Sequence, residues 1–361
     1  AQASSGDVEF STGFLPKYAN EYALYFMDDI KVNNHLAINA GVRYSIFSQL
    51  GPYTSKLDGT QYGTFEPAIT YTGLEPRLNF KYKTGETSSM KGGITFTNQY
   101  LHLVSNSSST LPTDIWVPST EIVKPQRGIQ YALGFFKNFD NDTYETSVEV
   151  YYRDLKNQID YADDYVNDIT QEVEDGFVFG KGRAYGAEFF VKKSVGRLNG
   201  WIGYTLSRTE RSFDRIENGR WYPAVYDRTH DLSVVVNYQI SKKWEFGGVF
   251  IYGTGKLFTP INGFFFTEQN LNLFYGPRNS QRLDAYHRMD ISFTYTPNPG
   301  SKKKWRGSWN FSVYNIYNRK NPFFINYDID TNFEKGSTTI EGTKITIFPF
   351  IPSITYNFKF N

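Results

Sequence analysis

Apolar and polar side chains alternate along this chain with a period of two residues, from one end to the other. Val148, Val150 and Tyr152 share one face of such a segment, whereas Ser147 and Glu149 share the opposite face. This period is that of a β-strand, and almost no stretch has the apolar spacing of an amphipathic helix. The chain is therefore predicted to be all-β, with strands that meet an apolar environment on one side and a polar one on the other.

Counting the alternating segments predicts about thirteen strands. The predicted strands lie near residues 21–32, 36–47, 74–83, 90–102, 128–139, 144–159, 183–194, 198–208, 229–240, 244–252, 288–296, 308–318 and 350–360.

The predicted connections alternate strictly between short and long. The short ones lie at about residues 33–34, 85–86, 138–142, 195–197, 241–243 and 297–304. The long ones run from about 48–73, 103–127, 160–182, 209–228, 253–287 and 319–349. In a soluble sandwich, the loops at the two ends are expected to vary in length to a similar degree. Outer-membrane barrels instead have tight turns on the periplasmic side and long loops outside.

The mean hydropathy is −0.49, and no run approaches the roughly 18 apolar residues of a membrane helix. That test does not apply to a transmembrane barrel, because every second side chain faces the lumen. Many of the 28 Tyr, 31 Phe and 6 Trp lie near strand ends, as in the aromatic girdles of such barrels. The alternative is that they pack the core of a soluble sandwich. We predict a transmembrane antiparallel β-barrel, with Tyr356, Phe358 and Phe360 on a closing C-terminal strand that faces lipid.

Charge and cysteine content exclude several classes of function. The 38 Lys and Arg against 37 Asp and Glu give no basis for a nucleic-acid partner. With no cysteine, the chain has no disulfides, thiolate zinc sites or thiol nucleophiles. The four histidines lie far apart, and no G-x-S-x-G motif is present. We therefore predict no catalytic residue, no resident metal and no cofactor, with one open alternative.

That alternative is an acidic loop within residues 154–175. Its carboxylates, including Asp163 and Asp164, could hold Ca²⁺, which prefers oxygen ligands. The loop lacks the spacing and the glycine of an EF-hand, so a solvated acidic loop is the other interpretation.

Aromatic side chains in the long connections are the candidates for ligand contact. They are Trp221, Tyr222, Tyr226, Phe264, Phe265 and Phe266. Aromatic rings offer large apolar faces with little conformational entropy to lose, which suits ligand binding. The alternative is that these rings pack loop against loop.

Three long segments resemble a known family. They are EYALYFMDDIKVNNHLAINAGVRYSIF at 21–47, GKGRAYGAEFFVKKSVGRLNGWIGYTLSRTER at 180–211 and WYPAVYDRTHDLSVVVNYQISKKWEFGGVFIYGTG at 221–255. Together with the aromatic C-terminus, they resemble the TonB-dependent outer-membrane receptors, in particular the Bacteroidota branch.

The resemblance implies a barrel of 22 strands with a plug domain inside it, in the outer membrane of a Gram-negative cell. The implied partners are outer-membrane lipid, the plug, the remaining strands, the TonB complex acting through the plug, and a lid-like surface lipoprotein. Neither a plug nor a TonB box is seen in this sequence, so residues 1–361 are expected to be the C-terminal part of the barrel. Polar residues that face the lumen are expected either to contact the plug or only to hydrate the channel or pair with one another. They are Arg43, Arg77, Lys81, Glu149, Glu188 and Arg288.

The implied function is active uptake of a nutrient such as a siderophore, cobalamin, a glycan or a peptide, with no enzymatic step. The alternatives are a passive pore, a structural or scaffold barrel in an outer-membrane complex, and a barrel enzyme.

Overall fold

The computed structural model describes residues 17–104, 115–162, 173–267, 270–300, 304–332 and 337–360. Within these residues the chain is β-structure and loops, with two short 3₁₀ turns at Val173–Gly176 and Glu217–Gly219. No helix in the described part of the chain is long and apolar enough to cross a bilayer.

Twenty-four strands follow one another along the described chain. In order, they are β1 Tyr18–Lys31, β2 Leu36–Leu50, β3 Tyr53–Thr54, β4 Gln61–Tyr62, β5 Pro67–Lys83, β6 Ser88–Gln99, β7 Leu101–Val104, β8 Ile115–Pro118, β9 Gln126–Phe139, β10 Tyr144–Tyr161, β11 Phe177–Lys193, β12 Leu198–Phe213, β13 Tyr222–Pro223, β14 His230–Gln239, β15 Trp244–Gly253, β16 Leu257–Phe258, β17 Ile261–Thr267, β18 Asn270–Tyr275, β19 Gln281–Arg282, β20 Tyr286–Tyr295, β21 Trp305–Tyr314, β22 Pro322–Asn332, β23 Ser337–Thr346 and β24 Ile351–Phe360.

Thirteen of these strands form one antiparallel sheet in which each strand pairs with its neighbours along the chain. The order is β1, β2, β5, β6, β9, β10, β11, β12, β14, β15, β20, β21 and β24, with β13 added beside β12. The predicted all-β antiparallel fold and strand number are confirmed. Within the described residues the sheet is open, and β1 and β24 are its two edges.

All six long connections lie at one end of the sheet, because antiparallel pairing places successive connections at alternate ends and the connections alternate between short and long. The long connections, which we call the loop rim, are residues 51–66, 100–125, 162–176, 214–229, 254–285 and 315–350. The short turns at the opposite end are residues 32–35, 84–87, 140–143, 194–197, 240–243 and 296–304. The predicted two-sided arrangement is present.

The sheet has two chemically different faces. We call outer the face that carries Val148 and Val150, whose side chains are 46% and 48% exposed. The register keeps Phe189 of β11 opposite Val148 and therefore on the same face. We call inner the face that carries Ser147 and Glu149, where Ser147 is 8% exposed. Polar residues are thus enclosed and apolar residues are exposed, which is the reverse of a soluble protein.

The strands extend further into the loop rim than the sequence pattern predicts. β5 begins at Pro67 instead of near 74, and β11 begins at Phe177 instead of near 183. Residues 253–287 and 319–349 were predicted to be loops, but they contain the β17–β18 and β22–β23 hairpins. In the loop rim, apolar and polar side chains no longer alternate, because both faces of these strands contact protein or water. The backbone hydrogen bonds between the strands nevertheless continue.

The buried apolar clusters lie in the loop rim and at the strand ends that border it. One buried cluster comprises Val104, Val117, Val123, Ile159, Tyr161 and Phe177. A second comprises Ala162, Val178, Phe213, Ile216 and Tyr222. These clusters pack neighbouring long loops against one another above the strand ends.

Candidate ligand-binding surface and lumen wall

A buried ion pair joins two loops of the rim. The side chain of Asp227 is fully buried, and its carboxylate accepts hydrogen bonds from the Arg282 guanidinium and, at 2.6 Å, from the backbone N–H of Thr209. The same guanidinium donates to the backbone carbonyl of Asp227 at 3.0 Å. Because Asp227 lies in loop 214–229 and Arg282 in loop 254–285, the pair holds one loop against the other.

Asp160, near the end of β10, is a second junction. Its carboxylate accepts a hydrogen bond from Arg278 at 2.8 Å and lies 3.8 Å from a guanidinium nitrogen of Arg211. The Tyr222 hydroxyl donates to the same carboxylate at 3.4 Å. The backbone N–H of Arg278 donates to Glu217 at 2.7 Å. One strand end and two loops are therefore fixed around a single carboxylate.

Glu121 joins loops 51–66 and 100–125. Its carboxylate accepts hydrogen bonds from the Tyr53 hydroxyl at 2.8 Å and the Ser55 hydroxyl at 2.9 Å, and another from the backbone N–H of Lys56. Burial opposes ionisation of Glu121, but these hydrogen bonds outweigh it and lower the pKa of the carboxyl below its usual value. Glu121 is therefore a stable anion that organises both loops.

Two further contacts continue this chain of linked loops. The Thr120 hydroxyl donates to Glu174 at 3.1 Å, which links loops 100–125 and 162–176. Lys344 donates to Asp284 at 2.7 Å, which links the last two long loops, and it lowers the pKa of that carboxyl. Loops 162–176 and 214–229 are joined by the second buried cluster, which holds Ala162 with Ile216 and Tyr222. Each long loop is therefore linked to its neighbour along the rim.

The structure separates three aromatic residues that are close in sequence. Trp221 lies on the outer face, with its ring 4.3 Å from the Arg183 guanidinium carbon. Tyr222 is only 4% exposed and belongs to the second buried cluster. Burial, followed by the negative charge of Asp160, raises the pKa of the Tyr222 hydroxyl, which stays protonated. Tyr226 is 55% exposed. Tyr222 thus packs within the loop rim, and contact of the three residues with a ligand stays a prediction.

Phe264, Phe265 and Phe266 lie on β17, in the hairpin that β17 forms with β18. Phe264 and Phe266 are on one face with their ring centroids 5.9 Å apart, and Phe265 is on the other. All three rings are exposed, and Phe274 on β18 is 60% exposed. The hairpin therefore presents aromatic rings on both faces. Contact of these residues with a ligand stays a prediction.

The inner face carries charged side chains at the short-turn end. A concavity of about 730 Å³ is lined there by Lys81, Lys91, Glu149 and Glu188, among other residues. Lys91 lies 3.9 Å above the ring of Phe136, which restrains the ammonium group. Three of the predicted lumen residues, Lys81, Glu149 and Glu188, therefore line one concave polar surface.

A polar ladder crosses the inner face between the first strands. Arg43 donates to Glu21 at 3.0 Å and lies 3.7 Å from Glu75. Ser45 donates to Glu75 at 3.1 Å and is 2.8 Å from the Tyr100 hydroxyl. The predicted lumen residue Arg43 is therefore held in a network of charges and hydroxyls and not hydrated singly.

The described residues hold no group of three or more His, Asp or Glu side chains that could bind a metal ion. Asp163 and Asp164 lie outside the described residues, so the calcium alternative stays a prediction. His102 is buried beside Ser119, with 3.0 Å between Nε2 and Oγ, and burial lowers its pKa to about 4. It is a neutral packing residue in the rim.

Tyr356, Phe358 and Phe360 lie on β24 with exposed rings. Phe358 stacks on Trp305 of β21 with 4.8 Å between ring centroids, and Tyr356 lies 4.8 Å from Trp309. These rings form a patch near the short-turn end of the sheet. Their contact with lipid stays a prediction.

The inter-loop ion pairs were not among the predicted site residues. Asp160 and Arg278 are 118 residues apart, and no local pattern connects them. Asp227 lies within the YDRTHD run that carries part of the family resemblance, and this run was the one available signal.

Comparison with solved structures finds the same fold in outer-membrane receptors. The pyoverdine receptor FpvA from Pseudomonas aeruginosa PAO1 aligns with a TM-score of 0.60 at 14% identity, covering 96% of this chain and 42% of that one. The ferric-catecholate import receptor Fiu from E. coli K12, in its closed form, aligns with a TM-score of 0.57 at 13% identity, covering 95% and 45%. The FrpB iron transporter from Neisseria meningitidis aligns with a TM-score of 0.56 at 12% identity, covering 95% and 45%.

The chain therefore spans less than half the length of these related structures. Among curated proteins, no sequence matches significantly. The family model for the β-barrel of TonB-dependent receptor-like proteins matches residues 4–316, which is most of the chain. The match agrees with the thirteen-strand sheet and the loop rim, and this chain belongs to the TonB-dependent receptor β-barrel family.

Proposed function

We propose that this chain forms part of the barrel wall of a receptor that imports a ligand across the outer membrane of a Gram-negative cell by TonB-dependent transport. The observation that carries the proposal is the sheet itself. It has an apolar outer face, a charged inner face and all its long loops at one end, in a chain that the family model matches over residues 4–316. The Bacteroidota branch stays a prediction.

The open edges of the sheet support a larger barrel. β1 and β24 each pair on one side only within the described residues, and all their side chains are exposed. An unsatisfied backbone group in hydrocarbon costs several kcal/mol, so membrane strands occur in closed barrels. We therefore propose that further strands pair with both edges and that residues 1–361 form the C-terminal part of the barrel.

The inner face supports a plug domain as partner. The concavity lined by Lys81, Lys91, Glu149 and Glu188 holds charges of both signs on a rigid sheet. A folded domain with complementary polar groups could pair with these charges. A wide water-filled pore would not need charges of both signs held on a rigid sheet. We propose that the plug, through which the TonB complex would act, packs here.

We propose that the loop rim captures the ligand. FpvA and Fiu are described as receptors for pyoverdine and ferric catecholate, and FrpB as an iron transporter. Identities of 12–14% to these proteins support the fold and not the ligand. The β17–β18 hairpin, with exposed rings on both faces, favours a ligand with planar or apolar surfaces. Siderophores, cobalamin, glycans and peptides remain the candidate classes, and a surface lipoprotein remains a candidate partner.

The test is an uptake measurement on cells that carry the full-length gene. Deletion and complemented strains would be given ferric siderophores, cobalamin, oligosaccharides and peptides, each with and without an uncoupler of the proton-motive force. The proposal expects one class whose uptake needs both the gene and the proton-motive force. Gene-dependent uptake that is unaffected by the uncoupler would instead indicate a passive pore, and loss of a partner complex without any uptake defect would indicate a scaffold.

A further inference from the structure

The outer face carries positive charges immediately above its apolar band. On β11, the outward positions from Tyr185 to Val191 are apolar or aromatic, and Arg183 and Lys193 flank them. The two flanking residues are ten positions apart, which at about 3.3 Å per residue and a tilt of about 45° is roughly 23 Å along the membrane normal. This matches the apolar band of about 25 Å in outer-membrane barrels. Arg183 therefore lies at the level of the outer-leaflet headgroups.

The register assembles a cationic patch at this level, defined as Lys156, Lys181, Arg183 and Arg208. Lys156 of β10 pairs directly with Lys181 of β11. Arg208 of β12 pairs with Tyr185, two residues from Arg183 and on the same face. Like charges placed directly opposite each other in a sheet are destabilising unless a counter-charge lies between them. A bound anion between Lys156 and Lys181 would relieve this repulsion.

Two carboxylates and one indole organise the patch. Glu210, nearly buried, pairs with Arg183 at 2.8 Å and with Arg208 at 3.1 Å, which fixes both guanidinium groups. Trp221 covers Arg183 at 4.3 Å and Lys181 at 5.5 Å. Asp154 pairs with Arg183 in the register. Four cations against two carboxylates leave an excess of two positive charges on a preorganised surface.

We propose that the cationic patch binds a phosphate group of a phosphorylated lipid in the outer leaflet. Guanidinium and ammonium groups are the side chains that bind phosphate, and a tryptophan beside them suits the interface between headgroups and acyl chains. The Tyr152 and Tyr185 rings, stacked with 6.3 Å between centroids, lie just below the patch on the same face, where the acyl chains begin. The inference rests on the proposed outer-membrane location but not on transport.

The test is lipid retention by the purified full-length receptor, measured by native mass spectrometry in neutral detergent. The probes are diphosphorylated lipid A, the same lipid without phosphates, and inorganic phosphate. Lys156→Gln/Lys181→Gln removes two charges and leaves the Glu210 pairs intact. We expect it to weaken retention of the phosphorylated lipid roughly tenfold to thirtyfold, since each basic residue contributes on the order of 1 kcal/mol near an anionic surface. The dephosphorylated lipid should be retained equally by both proteins.

Two controls separate this effect from damage to the fold. Lys242→Gln/Lys243→Gln removes the same charge from a short turn at the opposite end and should leave retention unchanged. Lys156→Arg/Lys181→Arg should restore retention, and the heat-dependent gel shift of a folded barrel should be the same for all variants. Equal retention of the phosphorylated lipid by the wild type and the Gln variant would overturn the proposal. Complete displacement of the lipid by an equal concentration of inorganic phosphate would assign the patch to free anions and would also overturn it.

Discussion

Asp227 and Arg282 form a buried ion pair between two loops of the rim, 55 residues apart in sequence. The carboxylate is fully buried, whereas the guanidinium side chain is 25% exposed. Both partners also bond to the backbone, so each loop is held by the other. A rim joined in this way presents its aromatic hairpin from a rigid support and not from independent flexible loops.

Removing the carboxylate should destabilise the rim. Asp227→Ala leaves Arg282 without its buried counter-charge, which costs about 3–5 kcal/mol for a fully buried pair and less here, because the guanidinium is partly exposed. We expect a loss of roughly 1–3 kcal/mol in denaturant unfolding of the full-length receptor in detergent, together with faster proteolysis of loops 214–229 and 254–285.

The matched control is Asp284→Ala, which removes a carboxylate from the same loop as Arg282. Asp284 and its partner Lys344 are both about half exposed, so the change should cost less than about 1 kcal/mol. Equal effects of the two substitutions would show that the buried pair has no special role.

His102 should make the rim sensitive to acid. Burial lowers its pKa to about 4 from a usual value of 6.5, so the unfolded chain binds a proton more readily than the folded one between these values. Stability should therefore be complete above about pH 6.5 and should fall as the pH decreases toward 4, by up to roughly 3 kcal/mol. His102→Gln should flatten this part of the stability curve, measured as the denaturation midpoint at several pH values. An unchanged slope in the His102→Gln variant would contradict this role of His102.

A glycine pair tests the packing of loop 254–285. A Cβ added at Gly255 would overlap the backbone carbonyl of Leu283, whereas a Cβ added at Gly263 meets no atom within 4 Å. Gly255→Ala should destabilise the receptor by about 1–3 kcal/mol, and Gly263→Ala by much less. Thermal unfolding of the two variants compares them directly, and a similar melting temperature would contradict the geometry of this loop.

The β17–β18 hairpin should contribute to ligand affinity. Phe264→Ser/Phe266→Ser removes two neighbouring exposed rings from one face of β17 and should weaken binding by tenfold or more, as expected for aromatic contacts at an interface. Titration of the imported ligand into the purified receptor gives the dissociation constant. Leu57→Ser, which removes an exposed apolar side chain from a different loop, should not change it. An unchanged constant in the double variant would assign ligand contact to other residues.

The sheet could be predicted from sequence because the alternation that marks each strand is visible within a few consecutive residues. The alternation of Val148 and Val150 with Glu149 reflects an apolar environment on one side of the sheet and a polar one on the other, and this constraint repeats in every strand. Turn lengths then order the strands. In the loop rim this constraint ends, so the sequence carries no alternating pattern for the continuation of β5 to Pro67 and of β11 to Phe177.

The site was less predictable because it depends on contacts between distant segments. Tyr222 is buried while its neighbour Trp221 lies on the outer face, and composition cannot distinguish the two. The pairing of Asp160 with Arg278 needs the folded order of the loops. Lys156 and Lys181 become neighbours only through the register of β10 with β11.

The two-sided sheet is tested most directly by a spin-label scan along β10, where residues 1–361 hold no cysteine that would compete for the label. Single cysteines at positions 147–151 of the full-length receptor in a bilayer would carry nitroxides, and collision with oxygen, which concentrates in lipid, would be compared with collision with a water-soluble nickel complex. Labels at Val148 and Val150 should be oxygen-accessible, and labels at Ser147, Glu149 and Tyr151 should not. Equal accessibility at all five positions would contradict a wall between lipid and a polar lumen.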